Sequence, residues 1–180
     1  MNSPIVLFVY NRPELTKNTL EALSKNDLAD QSVLYVYSDG PKELSGAQEE
    51  VSVNKVREIV RSQNWCREVI LVEHERNRGL SYNVISGVTE VMEKHGKVIV
   101  LEDDILTAPT FLQYMNQSLL TYESDERIAG ISAFSYLPDS SMPDTYLLPI
   151  GTSWGWATWN RVWEHFERDS DVLLERVEEA

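Results

Sequence analysis

Val98-Ile99-Val100-Leu101-Glu102-Asp103-Asp104 places four apolar residues directly before three carboxylates. The apolar run does not alternate, which is the pattern of a parallel strand covered on both faces. Glu102-Asp103-Asp104 stops it. Three neighbouring negative charges repel one another, so a fold gains from them chiefly when a cation lies close. Hard divalent cations take oxygen ligands and commonly sit between one or two carboxylates and substrate phosphates. In an extended segment alternate residues share a side. Glu102 and Asp104 are then expected to point together, with Asp103 pointing away. The alternative is a solvated turn, or charge near a helix start ahead of Ile105 and Pro109.

The same strand-then-helix rhythm extends outward in both directions. Upstream, Pro4–Tyr10 is a second unbroken apolar run, ended by Asn11-Arg12-Pro13, with Pro13 suited to a first helical turn. A helix is predicted to about Lys25, then a strand over Gln31–Tyr37 that ends in the turn cluster Ser38-Asp39-Gly40-Pro41. A helix over about Ser45–Gln63, a strand over Glu68–Glu73 and a helix over Leu80–His95, capped by Gly96, follow. Downstream, Pro109 opens a helix through Tyr122, and Ile128–Ser132 reads as a fifth strand. Pro138–Pro149 reads as loop, with room for a short strand at Tyr146-Leu147-Leu148. This alternation predicts an α/β three-layer domain with a mainly parallel sheet and right-handed crossovers. Ligands in such sheets bind beyond the carboxyl ends of the strands. Asn11-Arg12, Ser38-Asp39-Gly40, Asn77-Arg78-Gly79 and the acidic triplet are therefore expected on one rim.

The 180 residues give room for one domain. With 42% apolar and 25% charged residues, global disorder is excluded. Lys plus Arg number 16 against 29 Asp plus Glu, a net charge of −13 that repels phosphate backbones and anionic lipid. No nucleic-acid partner is expected. No apolar stretch approaches the ~20 residues that span a bilayer, and the apolar start is too short for a signal-peptide core. The expectation is a cytoplasmic protein without a transmembrane segment. The one cysteine, Cys66, excludes an intrachain disulfide and a Cys-rich zinc site, and reads as a packed thiol. His74, His95 and His165 are scattered and suit surface or capping roles. Gly-x-Gly-x-x-Gly and Gly-x-x-x-x-Gly-Lys-Ser/Thr are both missing, so dinucleotide and P-loop readings lack their motifs.

Several pieces admit two readings each. Asp39-Gly40 is a common turn pair, but its place after a parallel strand favours ligand contact. Arg12 suits a turn, or pairing with a diphosphate or a site carboxylate. Gly79 allows close backbone approach where a helix start favours an anion. Gly151–Trp159 holds three of the five Trp, interleaved with Gly and small residues. Such Trp faces stack on sugar rings, or fill a core. Trp159 and Trp163 stand four apart, as on one helical face, and read as core.

At these residues the sequence resembles the GT-A glycosyltransferases. The Pro4–Pro13 opening, Asp39, Asn77-x-Gly79 and the acidic triplet are similar to family 2 enzymes. The Glu-Asp-Asp form and the later Gly-Trp segment are more like the bacterial relatives of N-acetylglucosaminyltransferase I. The resemblance covers residues 4 to about 166. It implies a Rossmann-like, nucleotide-sugar-binding domain that moves a sugar from a nucleotide-diphosphate donor, a UDP-sugar by preference, to a hydroxyl acceptor such as a glycan. It implies Mn²⁺ or Mg²⁺ and an inverting reaction. Carried over residue by residue, it assigns Tyr10, Asn11, Arg12, Asp39 and Asn77 to the nucleotide-sugar, Glu102 and Asp103 to sugar and ribose, and Asp104 to the metal. Ser153, Trp154, Gly155 and Trp156 form the loop near donor sugar and acceptor. Residues 1–135 are then the donor-binding part, and 136–180 the start of the acceptor part.

An inverting member needs a general base, usually an Asp or Glu in a Trp-rich segment beyond the Gly-Trp loop. Here that region is Glu164–Asp171, whose acidic residues read as the exposed face of a helix. Asp169 and Asp171 are the candidates within the chain, and the favoured expectation is that the acceptor half lies beyond Ala180. Two other readings stay open: a non-catalytic nucleotide-sugar or glycan-binding fragment, and a nucleotidyltransferase. The second typically needs a Gly-rich, Lys-bearing loop near the first strand, which Asn11-Arg12-Pro13-Glu14 does not supply.

Overall fold

The computed structural model describes residues 2–44, 46–134, 143 and 145–178. The described elements are β1 (Ile5–Val9), α1 (Pro13–Ser24), β2 (Val33–Ser38), α2 (Ala47–Arg61), β3 (Glu68–Glu73), α3 (Leu80–His95), β4 (Lys97–Glu102), α4 (Phe111–Thr121), β5 (Ile131–Ser132), β6 (Trp156–Trp159), α5 (Asn160–Trp163) and α6 (Ser170–Glu178). The sheet order is β3-β2-β1-β4-β6-β5. β1 to β4 run parallel, and β6 runs antiparallel to both β4 and β5. The expected α/β three-layer architecture is present.

The two faces of the central strands build two cores. Ile5, Leu7, Leu34, Val36, Ile99 and Leu101 pack under α1, α2 and α4. Val6, Phe8, Tyr35, Tyr37, Val98 and Val100 pack under Val88, Val91 and Met92 of α3. Each large aliphatic side chain so buried contributes about 1.5–3 kcal/mol. This double burial explains why the runs carry no alternation. Gly96 ends α3 as expected, its N–H donating to Met92 O at 2.7 Å.

Register fixes the rim. Val9 pairs with Ser38, and Phe8 pairs with both Tyr37 and Glu102. The residues after Val9 therefore emerge between Asp39 and Asp103-Asp104. Asp39 N donates to Val9 O at 3.1 Å, which extends the β1–β2 ladder into the rim.

Several boundaries differ from the sequence reading. Gln31 belongs to a 3-10 turn (Ala29–Gln31), and α4 starts at Phe111 rather than Pro109. Of Ile128–Ser132 only two residues are strand, because β6 offers only Ala157 and Trp156 as partners. Tyr146-Leu147-Leu148 is not strand. The largest difference is Trp156–Trp159, read as part of a loop and found as a strand. Its aromatic and β-branched residues pair along β4, matching Lys97 to Trp159 and Val100 to Trp156. Trp159 and Trp163 consequently do not share a helix. Trp159 is buried at the end of β6, and Trp163 sits in α5 with its Nε1–H donated to Thr89 Oγ1 at 2.9 Å. The acidic tail is likewise not one helix. α5 ends at Trp163, Phe166 stacks on Trp163, and α6 buries none of its side chains. The expected 135/136 boundary falls outside the described residues. Among the described residues, no helix is long and apolar enough to cross a membrane.

Gly40 shows why the β2 turn has its sequence. A Cβ there would lie 2.5 Å from Arg76 N and 2.6 Å from His74 O, both backbone atoms. The chain leaving β3 passes directly over this residue. Gly40→Ala is expected to force the two turns apart and lower stability by about 1–3 kcal/mol, read as a lower urea midpoint. An unchanged midpoint would show that the contact yields freely.

Candidate functional site

Arg12 is the centre of the rim. It immediately precedes α1 and is half-exposed, and its guanidinium spans two carboxylates. Nη2 donates to Asp103 Oδ1, and Nη1 donates to Asp104 Oδ2 at 3.0 Å. Asp103 is 3% exposed at its side chain. Its backbone carbonyl accepts the Thr19 hydroxyl at 2.9 Å, tying the turn to α1. Asp103 Oδ2 is buried without a hydrogen-bond partner. The expectation that Glu102 and Asp104 point together, away from Asp103, is not met. The strand ends at Glu102, so Asp103 and Asp104 lie in a turn where strand alternation no longer applies, and both reach Arg12.

The electrostatics follow. Burial raises the Asp103 carboxyl above its ordinary range, and the Arg12 hydrogen bond and charge oppose that rise. Glu102 is raised by burial, then by the charges of Asp104 and Asp103. Arg12 is raised in turn by its bond to Asp103.

Asp39 forms a second cluster on the same rim. Its Oδ1 accepts from Gly40 N and Arg78 N, each at 2.9 Å, and its Oδ2 accepts from Gly79 N at 3.1 Å. The amides at the start of α3, read from sequence as suited to a ligand anion, are thus occupied by this buried carboxylate. Asn77 serves the same turn, with Nδ2 donating to Gly40 O and N donating to Pro41 O, each at 3.1 Å. Tyr10 donates its hydroxyl to Glu49 of α2. Burial first, then that hydrogen bond, raises its phenol. Asn11 is half-buried beside it.

The Gly-Trp segment divides. Gly155 has φ +70°, a left-handed conformation that favours glycine, and a Cβ there would meet Phe111 Cε2 at 3.2 Å. This turn sets Trp154 outward, edge-on to Phe134 with centroids 4.6 Å apart. Thr152 N and its hydroxyl both contact Ser132 Oγ, fixing the segment to β5. Trp156 lies elsewhere, packed against the α3-side core and stacked on Trp163 at 6.1 Å. Ser153 is exposed. Asp169 and Asp171 are exposed, and Asp169 Oδ1 accepts from Asp171 N at the start of α6.

A cleft of about 640 Å³ opens at Asp104, between the segment leading to α4 and Phe134-Trp154. The sequence reading found Asp104 and Trp154 but missed Ile105, Leu106, Phe111 and Phe134. Apolar residues in connecting segments look the same as packing residues until the fold sets them around a space. Cys66 is buried as expected, and burial pushes its thiol up to about 12. His95 Nε2 lies 2.9 Å from the Tyr35 hydroxyl.

No protein-family model and no curated protein matches the sequence. CMP:2-keto-3-deoxy-manno-octonic acid synthetase complexed with CTP aligns over 99% of this chain and 84% of that chain, with TM-score 0.52 at 13% identity. The two share a fold. S. aureus TarS is similar over 69% of this chain and 20% of that chain, with TM-score 0.46 at 19% identity. A putative nucleotide-diphospho-sugar transferase from Desulfovibrio desulfuricans G20 is similar over 69% and 56%, with TM-score 0.45 at 12% identity. The chain thus spans about a fifth of TarS and just over half of the Desulfovibrio protein.

Two outcomes follow from the Asp39 cluster. Asp39→Ala strips three backbone N–H groups of their acceptor and is expected to lower stability by about 2–4 kcal/mol, with Asp39→Asn milder; equal urea midpoints would refute the clamp. His74, which leaves β3 beside this cluster, has a buried Nε2 without a partner. Its pKa is lowered from 6.5, chiefly by burial and then by Arg78, with Arg57 adding to the effect and Asp39 and Glu90 opposing it. The unfolded chain therefore takes up this proton at higher pH than the folded one. The contribution is full above pH 6.5 and is lost as pH falls through the lowered native value. His74→Gln is expected to flatten the fall in urea midpoint below pH 6.5; an unaltered slope would exclude this imidazole as its source.

Proposed function

We propose that the chain is the nucleotide-sugar-binding domain of a glycosyltransferase that moves a sugar from a nucleotide-diphosphate donor to a hydroxyl acceptor. The single observation that carries this reading is the meeting of Arg12 with Asp103 and Asp104 at the carboxyl ends of β1 and β4, at the mouth of a cleft. That is the edge where open α/β sheets bind ligands. The resemblance of Glu102-Asp103-Asp104 and Gly155-Trp156 to the N-acetylglucosaminyltransferase I type supports the finer reading: UDP-sugar, divalent metal, inverting transfer.

The donor chemistry fits Mn²⁺ or Mg²⁺. Asp104 offers an exposed carboxylate, and Asp103 Oδ2 is a buried oxygen without a partner. Among the described residues no three metal-ligating side chains come together, so phosphate and water oxygens would complete the shell. Asp104 would hold such a cation, whose charge would offset that of the diphosphate leaving group. Arg12 is the chain's own cation at this point. With the carboxylates engaged elsewhere, its planar fork is suited to phosphate oxygens. Asp39 and Asn77 act indirectly, by holding the turns that flank Tyr10 and Arg12.

A nucleotidyltransferase is the second reading, favoured by the fold shared with the synthetase. Thermal shift separates the two. UDP with Mn²⁺ at about 100-fold over Kd is expected to raise Tm by ~5–10 °C, with EDTA removing most of the rise and Asp104→Ala abolishing its metal dependence. Equal stabilisation by UDP in EDTA and in Mn²⁺ would overturn the metal role of Asp104. Pyrophosphate release from a nucleoside triphosphate and a sugar acid would establish the second reading instead.

A further inference from the structure

We propose that the cleft beside Asp104 binds a neutral glycoside carrying an apolar substituent, as the acceptor of the proposed transfer. The inference rests on that reading of the rim and adds the class of molecule that enters from the other side. The cleft, at about 640 Å³, lies in the size range of small-molecule sites. Its lining is chemically lopsided. Among the described residues Asp104 is the one charged side chain of the lining, and no described Lys, Arg or His lines it. The cation nearest Asp104 is Arg12, which Asp103 and Asp104 already share, so a phosphate or carboxylate on the acceptor would meet Asp104 with no cation of the cleft lining to match it, in a chain whose net charge is −13. The occupant is therefore neutral.

Its apolar part follows from the remaining walls. Leu106 is 69% exposed, Trp154 48% and Phe134 41%, and all three line this one space together with Ile105 and Phe111. Trp154 is not loosely placed. Gly155 turns it, Thr152 anchors its segment to Ser132, and its indole meets the Phe134 ring at 84°. A half-exposed indole held in this way lends its exposed part to the C–H side of a sugar ring. Leu106 and Phe111 then meet a group with no hydroxyls. The polar complement is small. Thr107 Oγ1 accepts from Asn26 Nδ2 at 2.9 Å, and the Tyr114 hydroxyl donates to Ser132 O at 3.2 Å. Among the described residues that leaves Thr110, and the Asp104 oxygen that Arg12 does not hold, for sugar hydroxyls. An unsubstituted, fully hydroxylated oligosaccharide would leave most of its polar groups against Ile105, Leu106 and Phe111 unsatisfied.

Isothermal titration calorimetry on the intact chain tests this with three probes: n-octyl β-D-glucopyranoside below its micelle concentration, methyl β-D-glucopyranoside, and n-octyl β-D-glucuronide. The octyl glucoside is expected to bind at least tenfold more tightly than either other probe. Leu106→Asp and Trp154→Leu are each expected to weaken it at least tenfold. Leu106 is exposed, so Leu106→Asp is expected to leave Tm unchanged and serves as the variant that folds normally. Equal affinity for methyl and octyl glucosides would overturn the apolar half of the proposal. Equal affinity for the glucuronide would overturn the neutral half. Octyl glucoside binding that survives both substitutions would place the site elsewhere on the surface and sink the proposal. UDP stabilisation is read separately. Cleft binding without any UDP response keeps this inference and removes the transferase reading; UDP response without cleft binding does the reverse.

Discussion

A carboxylate buried at the end of a parallel strand must find donors, because removing it from water alone costs more than a domain has to spare. Two such groups organise this protein's rim, and they are satisfied in opposite ways. Asp39 is met by backbone N–H groups, which fixes the turn after β2 and the start of α3 as one unit. Asp103 is met by a side chain, Arg12, which also holds the exposed Asp104. A backbone clamp has nowhere to go. A half-exposed guanidinium that keeps Nη2 on Asp103 can release the exposed Asp104 from Nη1 and turn that nitrogen to another anion. The rim therefore has a fixed side at β2 and an adjustable side at β4.

The adjustable side is also the side with space. β6 pairs antiparallel along β4 and carries Gly155 and Trp154 at its leading end. Were that segment a free loop, Trp154 would have no fixed bearing on Asp104. Ser132, Thr152 and the Gly155 turn convert it into a wall, while Trp156 and Trp163 fasten the following residues to α3. Neighbouring tryptophans in one short segment thus serve different ends: one faces the cleft, one stacks behind the sheet, one fills the core.

The parallel core is readable from residues because double burial leaves unbroken apolar runs such as Ile5–Val9 and Val98–Leu101. The rim clusters are readable as clusters for the same reason, since each polar group abruptly ends a run. What each group does there is not. Asp39-Gly40 reads the same whether the carboxylate faces a ligand or the amides of residues some forty positions later. The hydrogen bonds from Arg78 and Gly79 N–H, brought within reach as the chain leaving β3 passes over Gly40, distinguish them. Strand alternation misplaces Asp103 because the backbone leaves the extended conformation one residue earlier than the charge pattern suggests. Trp156–Trp159 hides because its pairing partner is β4, far back in the chain, and glycines just before it look like loop.

That distant partnership bears on the order in which the molecule assembles. β1, β2 and β3 with α1 and α2 are joined by successive short crossovers, so their contacts close small loops. β6 finds β4 only after residues from α4 onward have been gathered in, and closing that larger loop costs more chain entropy before any contact repays it. By this entropy argument the cleft wall is expected to form after the β1–β2–β3 crossovers and to open before them. A chain that has lost β6 still keeps the parallel strands and the Asp39 turn, but presents Asp104 on an open edge instead of at the mouth of an enclosure.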